Sequence, residues 1–270
     1  MTLKLQRSKN TYNINIPVSL PVNHEEKDLP IHPYVLGVLI GDGSLSQKTN
    51  VVISSVKHDV IDRVQKYLGS EYKITKFNTN NHSWGVSYTP KHKMNPLKNT
   101  LNSMCLSVTS AYKFIPPQYF LGSIEQRLLL LQGLTDTDGS VDKKGRVSFS
   151  SNSIQLIKDV VKLTRSLGYR CTFNASIRED KGIEHEVGIS TNKNDIFSSD
   201  KHYRRHAERK IPRNAHHYEY QKIVSITPLP FKREMQCISV DSPHHTFICG
   251  NYIVTHNTFF QVYVGSYAML

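Results

Sequence analysis

No stretch of this 270-residue chain is apolar for long enough to span a bilayer. The opening MTLKLQRSKN lacks the order of charged, apolar and small residues that marks a secretory signal. Membrane residence and export are set aside, and a cytoplasmic setting is the expectation. Cysteine is scarce as well. Cys105, Cys171, Cys237 and Cys249 stand far apart, with no paired metal-ligand spacing and no disulfide framework. That excludes a zinc ribbon or a disulfide-stapled miniprotein and points to a reducing compartment. Acidic residues are the third shortage. Twenty-two Asp and Glu face thirty-four Lys and Arg, a formal net charge of +12. Such a balance favours a polyanionic partner, nucleic acid first among them.

What is present is a repeat. YVLGVLIGDGSL, then NVVISS, then an amphipathic run ending at Leu68-Gly69 is echoed by LLLQGLTDTDGSV, RVSFSS and a run ending at Leu167-Gly168. Asp42 and Asp138 are 96 residues apart, as are Ser54 and Ser150, and Pro116 and Pro212. A constant offset across separate features indicates one duplicated unit. Each unit reads as helix, strands, helix. Pro33 suits a first helical position. Leu36, Val38, Leu39 and Ile40 make the first helix apolar nearly all round, which predicts a buried helix. Gly43 and Gly139 are expected in the left-handed conformation after a helix end. Val60, Ile61, Val64, Tyr67 and Leu68 recur at helical spacing, as do Ile154, Ile157, Val160, Val161 and Leu167. WGVSYT from Trp84 and EVGIST from Glu186 read as matching strands.

Small residues say how the units meet. Gly37 and Gly41 lie four apart on one helix face, and Gly133 and Thr137 occupy the matching places. That spacing lets two helix backbones approach closely. The two helices are therefore expected to pack on a pseudo-twofold axis, with Asp42 and Asp138 side by side at their C-terminal ends. Carboxylates there meet the negative end of the helix dipole and repel each other. A divalent cation relieves both, and all-oxygen ligands suit Mg²⁺. Such a pair near a phosphodiester is suited to metal-assisted cleavage.

With VLGVLIGDG (Val35 to Gly43) and LQGLTDTDG (Leu131 to Gly139), the chain resembles the LAGLIDADG homing endonucleases, in particular the dodecapeptide-pair type found in inteins. The resemblance implies an α/β saddle of two αββαββα-type repeats, over about 29–115 and 116–217. It implies site-specific double-strand DNA cleavage, with Asp42 and Asp138 holding Mg²⁺ or Mn²⁺. KFIP matches a K-x-I-P pattern and makes Lys113 a charge-stabilising or water-ordering residue. For the second unit Lys210, opening K-I-P, is the better counterpart and Lys193 the weaker. Lys48, Lys73, Lys76, Lys144, Arg146, Arg170 and Lys210 are the expected DNA contacts.

From Tyr220 the chain turns to short β-like runs, KIVSI, MQCISV, HTFIC and NYIVT, with Gly250-Asn251 as a tight turn. CISVDSPHHTFICGNYIVTHNT resembles the C-terminal end of inteins, whose splicing domain has the β-rich Hint fold. By that resemblance Asn257 cyclises and cuts the chain after itself. His256 assists at that carbonyl, and Thr258 offers the hydroxyl that accepts the upstream segment. His245, or its neighbour His244, donates a proton. Cys237 followed later by Thr255-His256-Asn257 resembles inteins that start from an internal cysteine; the alternative is a small buried hydrophobe. That class needs a tryptophan in the first part of the splicing domain, and Trp84 lies in the endonuclease instead.

The resulting division is 1–28 as a link into the endonuclease, 29–217 as endonuclease, 218–257 as splicing segment and 258–270 as host protein. The expected partners are double-stranded DNA and an N-terminal splicing half, split or lost. The expected host is a P-loop ATPase such as a terminase large subunit, in which Thr258 would be the P-loop hydroxyl. The rival readings are a free-standing or intron-type endonuclease or maturase, and a non-cutting DNA-binding regulator.

Overall fold

The computed structural model describes residues 7–8, 11–12, 15–47, 50–77, 82–90, 94–178, 182–191, 193, 195–208, 219–223, 231, 238–241 and 243–256. The chain begins with a short hairpin, β1 (Arg7–Ser8) and β2 (Thr11–Tyr12), and a third strand, β3 (Asn15–Pro17).

Two copies of one plan follow. The first runs α1 (Pro33–Asp42), β4 (Gly43–Ser44), β5 (Val51–Ser54), α2 (His58–Leu68), β6 (Tyr72–Lys76), β7 (Ser83–Tyr88) and α3 (Pro96–Ser103). The second runs α4 (Ile124–Asp138), β8 (Gly139–Val141), β9 (Val147–Ser151), α5 (Ile154–Ser166), β10 (Arg170–Arg178), β11 (Gly182–Ser190) and α6 (Asp200–Ala207). Both sheets are antiparallel and have the same order, β4-β5-β7-β6 and β8-β9-β11-β10. WGVSYT and EVGIST are β7 and β11, the inner strands that pair with β5 and β9.

Pro33 opens α1, and every residue from Pro33 to Gly41 is buried, as an all-round apolar helix must be. Its partner α4 starts with a capping box, Ser123 and Gln126 each bonding the other's backbone. The two helices touch backbone to backbone. A Cβ on Gly37 would lie 2.4 Å from the Leu130 carbonyl, and one on Gly133 would lie 2.3 Å from the Tyr34 carbonyl. The face of small residues is thus the contact itself. Around it Leu36, Leu39, Ile53, Val64, Leu134, Phe149, Val160 and Leu163 form one core shared by both units.

Two local expectations are corrected. Gly43 and Gly139 are extended, with φ −78° and −82°, not left-handed. Glycine is required there because a Cβ would fall 2.2 Å from the Leu39 and Thr135 carbonyls, the last turn of each helix. Among the described residues the glycines with positive φ are Gly69 and Gly168, after the second helix of each unit, and Gly145, in the β8–β9 turn. Ile154, placed on the buried stripe by its spacing, is exposed at the start of α5, where no earlier turn covers it.

The chain then returns to its entry strand. β12 (Tyr220–Lys222) pairs antiparallel with β3, and Val18 bridges Ile253. β13 (Thr246–Cys249) and β14 (Ile253–His256) form a hairpin, at HTFIC and NYIVT. Its turn contains the expected Gly250-Asn251 together with Tyr252, and Asn251 and Tyr252 have positive φ. In KIVSI, Lys222 ends β12, Ile223 is in no strand and the rest lies outside the described residues; in MQCISV, residues 238–240 form none and the rest lies outside the described residues. No helix among the described residues is long and apolar enough to cross a membrane.

Candidate active site

Helix packing carries Asp42 and Asp138 to the same end of the α1–α4 pair, where both feel two lysines and Asp42 feels Asp138. Burial pushes the Asp42 carboxyl up to about 7, and the nearby Asp138 pushes it the same way. Burial also raises Asp138. Lys57 and Lys113 oppose the rise at both carboxyls, and a Ser55 hydrogen bond opposes it at Asp42.

Each lysine is tied to the C-terminal turn of one helix. The Lys113 ammonium donates to the Gly41 carbonyl of α1 at 2.6 Å. The Lys57 ammonium donates to the Asp136 carbonyl of α4 and reaches that of Thr137 at 3.4 Å. Cations there compensate the negative ends of both helix dipoles. Burial lowers the affinity of both lysines for their protons, and the two carboxylates pull it back up.

Lys113 thus stands where the K-x-I-P pattern implied, while Lys57 and Ser55 escaped the sequence reading. Strand register, which the fold sets, brings them there. Gly43 pairs with Ile53, so the residues just beyond β5 emerge beside the residue just before β4, which is Asp42. For the second unit the weaker lysine candidate, Lys193, is turned elsewhere, its ammonium 5.4 Å above the Tyr169 ring. Lys210 lies outside the described residues.

Behind the pair, Asp136 is fully buried on α4 and accepts four hydrogen bonds. They come from the Tyr34 hydroxyl at 2.9 Å, the Ser198 amide at 3.0 Å and hydroxyl at 2.5 Å, and the Ser199 amide at 2.8 Å. Burial raises its pKa, and these donors counter the rise. Its counterpart at the 96-residue offset is Ile40, so the motif helix of the second unit carries a polar anchor that the first lacks.

The donor chemistry fits a hard divalent cation. Two carboxylates, crowded and largely withdrawn from water, gain from a shared positive charge, and their oxygens suit Mg²⁺. Among the described residues no cluster of three or more His, Cys, Asp or Glu forms another such site.

Strand alternation sorts the expected DNA contacts. Lys73 lies on the face of β6 away from the core. Lys76, three residues on, lies on the opposite face, 5.6 Å over the Trp84 ring. Arg170 neighbours the buried Cys171 on β10 and so points to the open face. That face of the second sheet carries Ser140, Ser148, Ser150, Thr172, Asn174 and Glu186, hydrogen-bonding groups with little charge. Arg146 and Lys144 are exposed in the β8–β9 turn. Arg146 there pairs with Asp142 at 2.7 Å, and the Arg146 amide and guanidinium and the Lys144 amide hold the Asp142 carboxyl below its ordinary range. Lys48 lies outside the described residues.

At the C-terminal hairpin, His256 pairs across from Thr246, the residue after His245, so both histidines stand at one end of the hairpin and both are exposed. His244 is exposed beside them. Cys237, Asn257 and Thr258 lie outside the described residues.

Comparison with known proteins bears on these assignments. Residues 125–208, which run from α4 through the second sheet and α5 to α6, match the family described as LAGLIDADG-like domain. Over 247 residues the chain is 29% identical to a protein named replicative DNA helicase DnaB from Mycobacterium intracellulare, a match covering 88% of this chain and 38% of that protein. The chain therefore spans well under half the length of the curated relative it matches. Mesophilic variants of the homing endonuclease I-DmoI align at 18% identity over 60% of this chain and 83% of theirs, with a TM-score of 0.40. An I-DmoI complex with its target DNA in the presence of magnesium aligns at 19% identity over 60% and 89%, with a TM-score of 0.39.

Proposed function

We propose that this chain is a site-specific homing endonuclease that cuts both strands of DNA, embedded in the C-terminal portion of an intein. The observation that carries the nuclease reading is the convergence of Asp42 and Asp138 on one helix-helix axis, flanked by Lys57 and Lys113. Asp42 and Asp138 would hold Mg²⁺ or Mn²⁺. When bound, such an ion polarises a phosphoryl oxygen and lowers the pKa of water. The chain's own groups do the rest. Lys57 and Lys113 hold protons at Nζ and place positive charge where a phosphodiester comes to lie. Ser55 orients the Asp42 carboxylate. Lys73 and Arg170 on the open faces neutralise phosphates, while the hydroxyls and amide of the second sheet suit base edges.

The neck favours the intein reading over a free-standing endonuclease or maturase. The chain enters the two-repeat unit beside the strand by which it leaves, β3 against β12, as an inserted domain does. His245 and His256 gathered at one hairpin end suit proton transfer at the residue that follows, Asn257. A non-cutting regulator has no use for two crowded carboxylates retained at a cost in stability. The helicase name of the relative suggests a host that works on DNA, with a replicative helicase now standing beside the terminase as the interrupted protein.

The test is a plasmid carrying a host gene with the insert removed, incubated with the full chain and Mg²⁺. One double-strand break at the insertion point is expected. Full cutting by the Asp42→Asn, Asp138→Asn double variant would overturn the nuclease assignment. For splicing, the chain is mixed with an N-terminal splicing fragment and its products are weighed by mass spectrometry. Release after residue 257 that persists in Asn257→Ala would remove Asn cyclisation. Cys237→Ala stops the reaction only if Cys237 is the first nucleophile.

A further inference from the structure

Among the described residues Arg127 is the largest side chain wholly withdrawn from solvent, and among its described contacts there is no carboxylate. A buried guanidinium with no opposite charge is costly unless every N–H finds an acceptor. Here the acceptors are carbonyls and a hydroxyl from separate parts of the chain. Nε donates to Gly122 O at 3.0 Å, just before α4. Nη1 donates to Ser166 O at 2.8 Å and Ser166 Oγ at 2.7 Å, at the last turn of α5, where the helix dipole favours a cation. Nη2 donates to Val22 O on the entry segment.

The C-terminal hairpin joins the same cluster. The Tyr252 hydroxyl, in the β13–β14 turn, hydrogen-bonds the Ser166 side chain and lies within the field of the Arg127 charge. The Val22 amide donates to Ser166 O at 2.9 Å. Gly168 is closed over by the entry segment, since a Cβ there would lie 2.9 Å from the Ser19 carbonyl. One step away Val18 bridges Ile253. Entry segment, exit hairpin and the ends of two repeat-unit helices are therefore gathered around Arg127 and Ser166.

We propose that Arg127 is a positioning residue through which the folded two-repeat unit holds the β13–β14 hairpin against the entry segment. The hairpin that carries His245 and His256 is aligned only while that latch is closed. The consequence for splicing rests on the splicing reading above; the latch itself does not. The arrangement makes the embedded unit a support for the splice end rather than a passenger, since its α4 supplies the charge that gathers the neck.

The experiment uses the full chain, wild type, Arg127→Lys, Arg127→Met and Tyr252→Phe. Amide hydrogen exchange is read at 246–256 and, as control, at 33–42 and 128–138. In Arg127→Met, exchange at 246–256 should rise about tenfold, the worth of a lost charge-assisted hydrogen bond. The α1 and α4 amides and the rate of DNA cutting should stay within about twofold. Arg127→Lys should recover part of the protection. Tyr252→Phe, which leaves α4 untouched, should loosen the hairpin alone and keep the test decisive if Arg127→Met does not fold. Release after residue 257 should slow in step with the exchange. Unchanged protection at 246–256, or equal loosening of α1, would overturn the latch. If wild type releases nothing with an N-terminal fragment present, the splicing reading falls, and the exchange result still decides the role of Arg127.

Discussion

The C-terminal ends of α1 and α4 are built from the same motif and supported differently. The carboxylates are symmetric, Asp42 against Asp138. The cations are not. Lys57 and Lys113 both belong to the first unit, yet one serves the end of α4 and the other the end of α1. At the offset of 96 the residue matching Lys57 is Ser153, whose hydroxyl caps α5 and donates to the Lys113 carbonyl at 2.6 Å. Behind the carboxylates, Ile40 on one side faces a hydrocarbon core, while Asp136 on the other gathers Tyr34, Ser198 and Ser199. Both units thus carry the carboxylate, while the residues that support it differ.

The largest effect that would break this comparison is on cutting. Asp42→Asn and Asp138→Asn should each lower plasmid cleavage about a thousandfold while leaving DNA binding in place, since binding rests on phosphate contacts. Gel-shift and cleavage assays on the same samples check it. A variant that keeps wild-type cutting would show that the two carboxylates are not equivalent.

The lysines come next. Lys57→Met and Lys113→Met should each slow cleavage about a hundredfold, within the range of a positioned cation or proton donor. Because each serves one helix end, nicked circles should accumulate in both variants. Equal slowing of both strands would mean that the two ends act as one site.

Asp136→Ile restores the residue of the first unit. It strands the Tyr34 hydroxyl and three donors from Ser198 and Ser199, and should cost about 2 kcal/mol in urea unfolding, with little change in the dissociation constant for DNA. An unaltered unfolding midpoint would show that this anchor adds nothing over the apolar side.

The smallest effect is a pH dependence. Burial raises the Asp42 pKa from its ordinary value of 3.8 to about 7 in the folded state. Its protonated form is therefore favoured by folding, a contribution complete below about pH 4 and lost as pH rises through about 7. Wild type without divalent cation should lose stability over that window relative to Asp42→Asn by about 1 kcal/mol, the effect being reduced by water at the mouth of the site. Parallel stability curves for the two proteins would remove the claim that Asp42 is held against its own charge.

Much of this was legible in the residues alone. A 96-residue offset, apolar periodicities and glycines spaced four apart depend only on neighbours along the chain, and they specified the two units, the buried helix pair and the meeting of Asp42 with Asp138. The HTFIC and NYIVT runs likewise named the terminal hairpin. Local pattern misled where a neighbour in space decided. Gly43 and Gly139 are demanded by contact with a helix carbonyl rather than by a left-handed turn. Lys76, equal to Lys73 in the sequence, is turned over Trp84 by the pleat.

Lys57 joining the site, Asp136 serving as an anchor and Arg127 closing the neck belong to the tertiary structure alone. Lys57 and Asp136 are 79 residues apart, Tyr34 and Asp136 are 102, and Arg127 and Val22 are 105. A charged side chain in a helix reads, from its neighbours, as a solvated surface group. Only when folding excludes water must it find a partner, and that partner is chosen by which distant backbone ends arrive beside it.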